Sequence, residues 1–362
     1  MTKTLFQRGG LALLLASMLL TGCDPKKTED ASQHPTNYDP GKRAEAGPPV
    51  AGSGNYKIIT NGISPFWDSL GKGLDVAKAD LKVQGSWTGP SPADHNTQVN
   101  LLKEAVASKV DGIAVSPIEA EALTRTIDDT IAGGVPVITF DSDAPKSKRL
   151  AYIGTNNYEA GKMAGEETLK LFPNGGKFVA FVGNMGAQNA RDRYQGFVDA
   201  TKGKIEFLQT PFEDNKNPGA AKNNVSDAIT KYGDKINGFL GLYSYNGPAI
   251  VNAIKAQPGM RQKVKIVCFD GEPATLKNLA EGNVDVTIVQ KPYEFGRLSM
   301  LLLNAYKETK DITKALDKIK PELDKINAKV KGNIVDTGVT IVTPANSAAF
   351  LKDLKDKGLE ST

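Results

Sequence analysis

The chain has 362 residues, of which 40% are hydrophobic and 24% are charged, and this composition is typical of a soluble globular protein. The length allows two domains, each large enough to bury its own core. The formal net charge of +4 comes from interspersed acidic and basic residues, without the basic stripe that neutralises a phosphate backbone, so nucleic acid is excluded as the expected partner.

The N-terminal segment has the pattern of an export signal. Lys3 and Arg8 accompany the apolar run Leu11–Leu20, which is far shorter than the ~20 residues of a membrane-spanning helix. The sequence Leu20-Thr21-Gly22-Cys23 resembles a bacterial lipobox, in which a signal peptidase cleaves before a cysteine that then carries lipid. Residues 1–22 are therefore predicted to be a lipoprotein signal peptide and Cys23 to be lipidated. An ordinary signal peptide with an incidental cysteine is the alternative.

Residues 23–54 are predicted to form a flexible tether behind this lipid anchor. They are polar and rich in Pro, Gly, Lys and Asp, and such a segment cannot bury enough apolar surface to offset the entropy lost on ordering. The expected location is the cell envelope, on a membrane that faces the periplasm or the exterior.

The cysteines and histidines indicate neither a disulfide nor a metal site. Cys268 lies within the apolar run Val264–Phe269, which is typical of a buried strand, and with Cys23 acylated no intramolecular disulfide is possible. His34 and His95 have no partner at metal-ligand spacing. We therefore expect no metal, and the sequence indicates no cofactor.

From Tyr56 onward, short β-branched runs alternate with amphipathic helical segments. The predicted strands are Tyr56–Thr60, Lys82–Trp87, Gly112–Ser116, Val135–Phe140, Leu150–Ile153, Lys177–Val182, Lys204–Gln209, Gly238–Leu242, Val264–Phe269 and Val284–Gln290. The predicted helices between them are 65–81, 95–109, 119–132, 157–171, 189–201, 217–231, 247–256 and 273–281. This alternation predicts an α/β fold with parallel sheets covered by helices on both faces.

These strands are too many for one lobe, so the body is predicted to form two doubly wound parallel-sheet lobes. The first is expected to comprise residues 55–154 plus 291–333, and the second residues 155–290 plus 334–362. The run Asn333–Thr343 is predicted to be a strand that crosses between the lobes. Several crossings would form a multi-strand hinge, which suits closure around a ligand.

Polar residues at the ends of the predicted strands are the candidates for a binding site, because ligands of open α/β sheets bind outside the carboxyl ends of the strands. These residues are Asn61, Ser64, Asp141, Ser142, Asp143, Asn184, Tyr245, Asn246, Asp270 and Gln290.

Four motifs then resemble a known family. They are Gly-Val-Pro-Val-Ile-Thr-Phe-Asp at 134–141, Asn-Ala-Arg-Asp-Arg-Tyr-Gln-Gly-Phe at 189–197, Cys-Phe-Asp-Gly at 268–271 and Val-Gln-Lys-Pro at 289–292. In this order and spacing they resemble periplasmic sugar-binding proteins of the ribose-binding type. The resemblance implies the fold of a type I periplasmic binding protein. It also implies a monosaccharide between the lobes, a membrane permease of an ABC transporter as partner and, in some members, a role in chemotaxis.

The resemblance also implies roles for individual residues. Asp141 matches a first-lobe aspartate that accepts sugar hydroxyls, and Arg191 matches an arginine that opens a second-lobe helix. Asp270 matches the aspartate of the Phe-Asp-Gly turn. The remaining matches are Gln290, a glutamine on a crossing strand, and Phe66 and Trp67, aromatic residues that stack on the sugar ring.

Departures from the ribose type put ribose itself in doubt. The ribose type has an asparagine near Ser64, an arginine at Ser142 and an Asn-Asp pair at Tyr245-Asn246. Trp-Thr-Gly-Pro at 87–90, with the later Asp-Ser-Asp at 141–143, is similar to receptors for rhamnose and autoinducer-2.

Other functions are less well supported by the sequence. A glycosidase could use Asp141 and Asp270 as its carboxylate pair, but no Ser–His–Asp set accompanies them and an enzyme is not expected. A sugar-responsive repressor would begin with a DNA-binding head rather than an export signal. A sensory receptor for a sugar or an autoinducer-2-like signal remains the alternative to a transport receptor, and a monomer is expected.

Overall fold

Fourteen strands form two sheets within residues 54–361, the part of the chain that the computed structural model describes. The strands are β1 Asn55–Ile59, β2 Gln84–Thr88, β3 Gly112–Val115, β4 Val137–Phe140, β5 Tyr152–Gly154, β6 Gly176–Val182, β7 Ile205–Phe207, β8 Phe212–Glu213, β9 Gly238–Gly241, β10 Lys265–Phe269, β11 Val286–Val289, β12 Lys329–Lys331, β13 Ile334–Asp336 and β14 Thr340–Val342. All ten predicted strands are present. The predicted signal peptide, the lipidation site at Cys23 and all but the last residue of the tether lie outside the described residues.

Twelve α-helices of the described residues cover these sheets. They are α1 Phe66–Leu81, α2 His95–Ala107, α3 Ala120–Ala132, α4 Asn157–Leu171, α5 Gln188–Thr201, α6 Pro218–Tyr232, α7 Asn246–Lys255, α8 Met260–Lys263, α9 Pro273–Ala280, α10 Pro292–Thr309, α11 Ile312–Lys325 and α12 Ser347–Asp356. Within residues 54–361, no helix has both the length and the apolar character that a membrane crossing requires.

Each sheet is almost entirely parallel. The first has the order β12-β13-β5-β4-β3-β1-β2, and the second has the order β14-β11-β10-β9-β6-β7, with β8 beside β6. The antiparallel pairs are β12–β13 and β11–β14. The central strands β3, β4 and β9 are buried along their whole length, as expected for strands covered by helices on both faces. The predicted fold class, two α/β lobes with parallel sheets, is confirmed.

The chain crosses between the lobes three times, after β5, after β11 and between β13 and β14. One predicted boundary is wrong, because Ile334–Asp336 pairs with Tyr152–Gly154 in the first sheet rather than belonging to the second lobe. Val335 is fully buried in the core of the first lobe, which accounts for this pairing. The predicted strand Asn333–Thr343 is thus two short strands, one in each sheet.

A closely packed helix pair supports each lobe, α1 with α10 in the first and α4 with α5 in the second. A Cβ atom added to Gly73 would lie 2.0 Å from the carbonyl oxygen of Tyr293, and one added to Gly161 would lie 2.1 Å from the carbonyl oxygen of Arg193. The two helices of each pair therefore touch backbone to backbone, which only glycine allows. In the second lobe this contact fixes the position of α5, which carries Arg193.

Candidate functional site

A cavity of about 640 Å³ lies between the carboxyl ends of the strands of the two lobes. Both lobes line it, so neither lobe forms it alone. Eight of the predicted binding-site candidates line this cavity: Asn61, Ser64, Phe66, Trp67, Asp141, Tyr245, Asp270 and Gln290.

Asp141 is the central carboxylate of the first lobe. It follows β4 with a left-handed φ of 56°, a conformation that Asp tolerates better than most residues, and its side chain is almost fully buried. Its Oδ2 accepts hydrogen bonds from Ser116 Oγ at 2.8 Å and Asn61 Nδ2 at 3.3 Å. Burial raises the pKa of Asp141, and the nearby Arg193 guanidinium opposes this shift.

Asp270 occupies the corresponding position in the second lobe. It follows β10, also with a left-handed φ of 69°, and accepts a hydrogen bond from Gln290 Nε2 at 3.0 Å. Burial raises the pKa of Asp270 to about 6, with Arg193 again opposing and Asp141 adding to the shift. Gln290 Oε1 is buried without a hydrogen-bond partner, so it can accept a hydrogen bond from a ligand.

The cation between these carboxylates is Arg193 rather than the predicted Arg191. Arg193 is 1% exposed, lies over the Phe269 ring and has its Nη1 3.9 Å from Asp270 Oδ2. Its Nη2 is buried without a partner. Arg191 instead donates to the carbonyl oxygens of Met185 and Gly186, in the loop before its own helix, and does not line the cavity.

Four other predicted residues, Ser142, Asp143, Asn184 and Asn246, do not line the cavity. Ser142 is fully buried, because it turns back in an isolated bridge with Phe140. Asp143 forms a two-point ion pair with Arg149, at 2.5 and 2.7 Å, which holds the loop after β4. Asn246 lies behind the cavity wall and accepts a hydrogen bond from the backbone N–H of Tyr243 at 2.9 Å.

The two predicted aromatic residues line the cavity from the start of α1. Phe66 is 6% and Trp67 3% exposed, and their rings meet edge to face at 4.7 Å. Trp67 also packs on Phe140 at 5.7 Å, so core contacts on one side fix the ring that lines the cavity on the other.

The polar cavity residues that the sequence analysis missed include Asn189, Glu272 and Lys216. Asn189 precedes Arg193 by one helical turn on α5, and its Nδ2 reaches Asp141 Oδ2 at 3.5 Å across the lobes. This i, i+4 spacing was the available signal. Glu272, two residues after Asp270, is buried and accepts a hydrogen bond from Ser244 Oγ at 2.8 Å. Burial raises the pKa of Glu272 to about 7.

Lys216 is the third of these residues, and it spans the cavity from the second lobe. Its Nζ donates a 2.6 Å hydrogen bond to the carbonyl oxygen of Asn61 in the first lobe. Asp214 holds the loop in place, since its carboxylate accepts from Tyr245, Asn246 and the Lys216 backbone N–H. Burial lowers the pKa of Lys216 to about 7, and Asp141 and Asp214 oppose this shift.

No group of three or more His, Cys, Asp or Glu residues is placed to hold a metal ion within residues 54–361. The carboxylates of the cavity are instead balanced by Arg193, Lys216 and amide donors.

Residues 58–311 match the family model of the periplasmic binding protein domain. This match covers more than half of the chain. The chain belongs to the periplasmic binding protein domain family. The resemblance that the four motifs indicate is thereby confirmed.

Individual relatives of this periplasmic binding protein include a xylose/arabinose-binding protein of Sulfolobus acidocaldarius, which is 25% identical over 81% of this chain and 71% of its own length. The ribose import binding protein of Escherichia coli is 26% identical over 66% of this chain and 79% of its own length. Among solved structures, an ABC transporter solute-binding protein from Burkholderia graminis in complex with D-arabinose is 26% identical. It covers 81% of this chain and 96% of its own length with a TM-score of 0.70.

The cleft of this periplasmic binding protein is built to exchange hydrogen bonds with a polar molecule. Carboxylate and amide oxygens of Asp141, Asp270 and Gln290 can accept hydrogen bonds, and Arg193 Nη2 can donate one. Charge-assisted bonds of this kind are about twice as strong as neutral ones. The two lobes supply these groups jointly, so a ligand that bonds to both would hold the lobes together.

Proposed function

We propose that this protein is the solute-binding receptor of an ABC importer and that it binds a monosaccharide in the cleft between its lobes without changing it chemically. The observation that carries the proposal is the pair of buried aspartates, Asp141 and Asp270. They come from different lobes, have the same left-handed backbone conformation and line one cavity with Arg193 between them.

A sugar fits this arrangement better than other small solutes. Vicinal hydroxyls can each donate to a carboxylate while accepting from Arg193 or Asn189, and the flat face of Trp67 suits the apolar face of a sugar ring. A site built for hydroxyls also rejects analogues that lack them. The relatives include a xylose/arabinose-binding protein and a ribose import binding protein, and a neighbouring solved structure holds D-arabinose, which supports the same ligand class.

We also propose that the protein works at the membrane surface, with lipid on Cys23 as its anchor, an ABC permease as its partner and a monomer as its working form. The lipobox pattern of residues 20–23 supports the anchor. If the anchor is correct, a labelled fatty acid supplied to expressing cells is incorporated into the wild type and not into Cys23→Ser; a wild type without label would contradict lipidation.

Thermal-shift measurements across pentoses, hexoses and deoxyhexoses test the binding function. A ligand that binds the native state alone raises the melting temperature, so at least one sugar should stabilise the wild type. Asp141→Asn and Asp270→Asn should each abolish this shift, whereas the exposed Asp227→Asn control should keep it.

Two results would overturn the proposal. One is a wild type that no sugar stabilises, and the other is an unchanged shift in both cleft variants. Turnover of nitrophenyl glycosides by the wild type would indicate a glycosidase instead.

A further inference from the structure

The cavity extends well beyond its aspartates. In the first sheet, Asp141 follows β4 and the loop 90–93 follows β2, three strand intervals away. In the second sheet, Asp270 follows β10 and the loop 215–218 follows β8, which is again three intervals away through β9 and β6. At a strand spacing of ~4.8 Å the cavity runs roughly 14 Å across both sheets.

Its volume also exceeds the needs of one sugar ring. A monosaccharide fills the space of about six water molecules, or roughly 180 Å³ at ~30 Å³ per water. The cavity holds about 640 Å³. A ring bound at the aspartates would therefore leave more than half of this volume to another part of the ligand or to water.

The two ends of the cavity differ in chemistry. The end at the hinge strands carries the buried Asp141, Asp270, Arg193 and Gln290. The far end is lined by the apolar side chains Ile63, Pro90, Pro92, Ala93 and Pro218, together with the uncharged polar residues Ser91, Asn215 and Asn217. Ile63 is 43% exposed, among the most exposed large hydrophobic side chains of the described residues. The charged residue lining that end is Lys216, whose ammonium group is already bound to the Asn61 carbonyl.

We propose that the far end of the cavity is a second subsite, which takes an apolar substituent of a glycoside whose sugar ring occupies the polar end. This inference rests on the proposed function and names the class of ligand. The ring is held through its hydroxyls by the carboxylates and Arg193. An aryl or alkyl group linked to the ring then displaces water from Ile63, Pro92 and Ala93, and the burial of that apolar surface adds affinity.

Calorimetric titration with matched glycosides tests the subsite. The probes are the methyl and phenyl glycosides, in both anomers, of D-xylose, D-arabinose, D-ribose, D-glucose and D-galactose, with the free sugars alongside. For at least one sugar the phenyl glycoside should bind about tenfold more tightly than the methyl glycoside. Ile63→Ser and Ala93→Asp should each remove most of this advantage and leave binding of the methyl glycoside unchanged. The control Val76→Ser, at an exposed residue of α1 outside the cavity, should retain the advantage.

The outcomes separate this inference from the function on which it rests. If free sugars bind but no phenyl glycoside exceeds its methyl counterpart, the subsite is rejected and the sugar receptor stands. A phenyl advantage that survives both cavity variants rejects the location. If neither a free sugar nor any glycoside binds, the proposed function fails together with the subsite.

Discussion

Arg191 and Arg193, which flank Asp192, illustrate how the helical repeat determines which side chain reaches the cavity. Asn189 and Arg193 are four residues apart on α5 and share the face that lines the cavity, whereas Arg191 is turned toward the loop before the helix. Sequence resemblance locates the motif but does not choose between its two arginines. That choice depends on how α5 is packed, with Gly161 of α4 against the backbone of Arg193.

Exchanging each arginine for methionine tests this assignment. Arg193→Met removes a charge-assisted donor from the cleft, and sugar affinity should fall at least about tenfold. Arg191→Met should leave the affinity within about twofold, because its hydrogen bonds stay within its own loop. Titration calorimetry with the sugar that stabilises the wild type most gives both values. Equal losses in the two variants would show that the assignment to Arg193 is wrong.

Glu272 should make stability depend on pH. Burial, with the nearby Asp270 and Asp68 carboxylates, raises its pKa from 4.5 to about 7, against the single opposing hydrogen bond from Ser244. The native state therefore holds the proton more tightly than the unfolded state does. Ionisation of Glu272 therefore lowers the unfolding free energy. This loss is absent below pH 4.5, grows as the pH rises and is complete above about pH 7.

Glu272→Gln keeps an acceptor for Ser244 and removes the buried charge. The variant should match the wild type near pH 4 and gain unfolding free energy on the order of 3 kcal/mol by pH 8. Urea unfolding of both proteins between pH 4 and 8 measures the difference, with Glu121→Gln as an exposed control. A difference that does not change with pH would contradict a raised pKa.

At the scale of elements, the contact between α4 and α5 positions the cation of the site. A methyl group at Gly161 would lie 2.1 Å from the carbonyl oxygen of Arg193, so Gly161→Ala must push the helices apart. We expect a loss of about 1–3 kcal/mol in unfolding free energy, with weaker sugar binding as α5 moves. Gly133→Ala is the matched control, because its nearest neighbours are at 3.4 Å and its φ is −73°. Chemical denaturation gives the unfolding free energy of both variants, and calorimetry gives their sugar affinity. Equal values for Gly161→Ala and Gly133→Ala would contradict the proposal that the Gly161 contact positions α5.

The sequence predicts elements well where burial determines them. β3, β4 and β11 are mainly apolar runs buried on both faces, and helices such as α4 have a clear amphipathic repeat, so their positions follow from the pattern. β8 has two residues and β12 is fully exposed, so neither has a pattern to detect. Lys216 was missed for the same reason, since it follows β8.

The sequence also predicts part of the site. Asp141, Asp270 and Gln290 directly follow strands, where ligands of open sheets bind, and they do line the cavity. Ser142 and Asp143 follow the same strand and do not, because a left-handed turn at Asp141 and the ion pair with Arg149 direct them elsewhere. Position in sequence therefore identifies the edge of the sheet but not the direction of each side chain.

At the scale of the whole molecule, hydrogen bonds across the cleft oppose the repulsion between its carboxylates. Asp141 raises the pKa of Asp270, so bringing the lobes together without a cation or a ligand is costly. The contacts Lys216–Asn61 and Asn189–Asp141 join the lobes directly, and Arg193 lowers the pKa of both aspartates. A sugar that donates hydroxyl hydrogen bonds to both carboxylates would add to these contacts and favour closure.

The most direct test is a crystal structure of the full-length protein with the sugar that stabilises it most. We predict one sugar ring between the lobes, with hydroxyls within hydrogen-bond distance of Asp141 on one side and of Asp270 on the other, and with Arg193 in contact. A sugar bound to one lobe alone, or outside this cleft, would contradict the claim that the two lobes hold the ligand jointly.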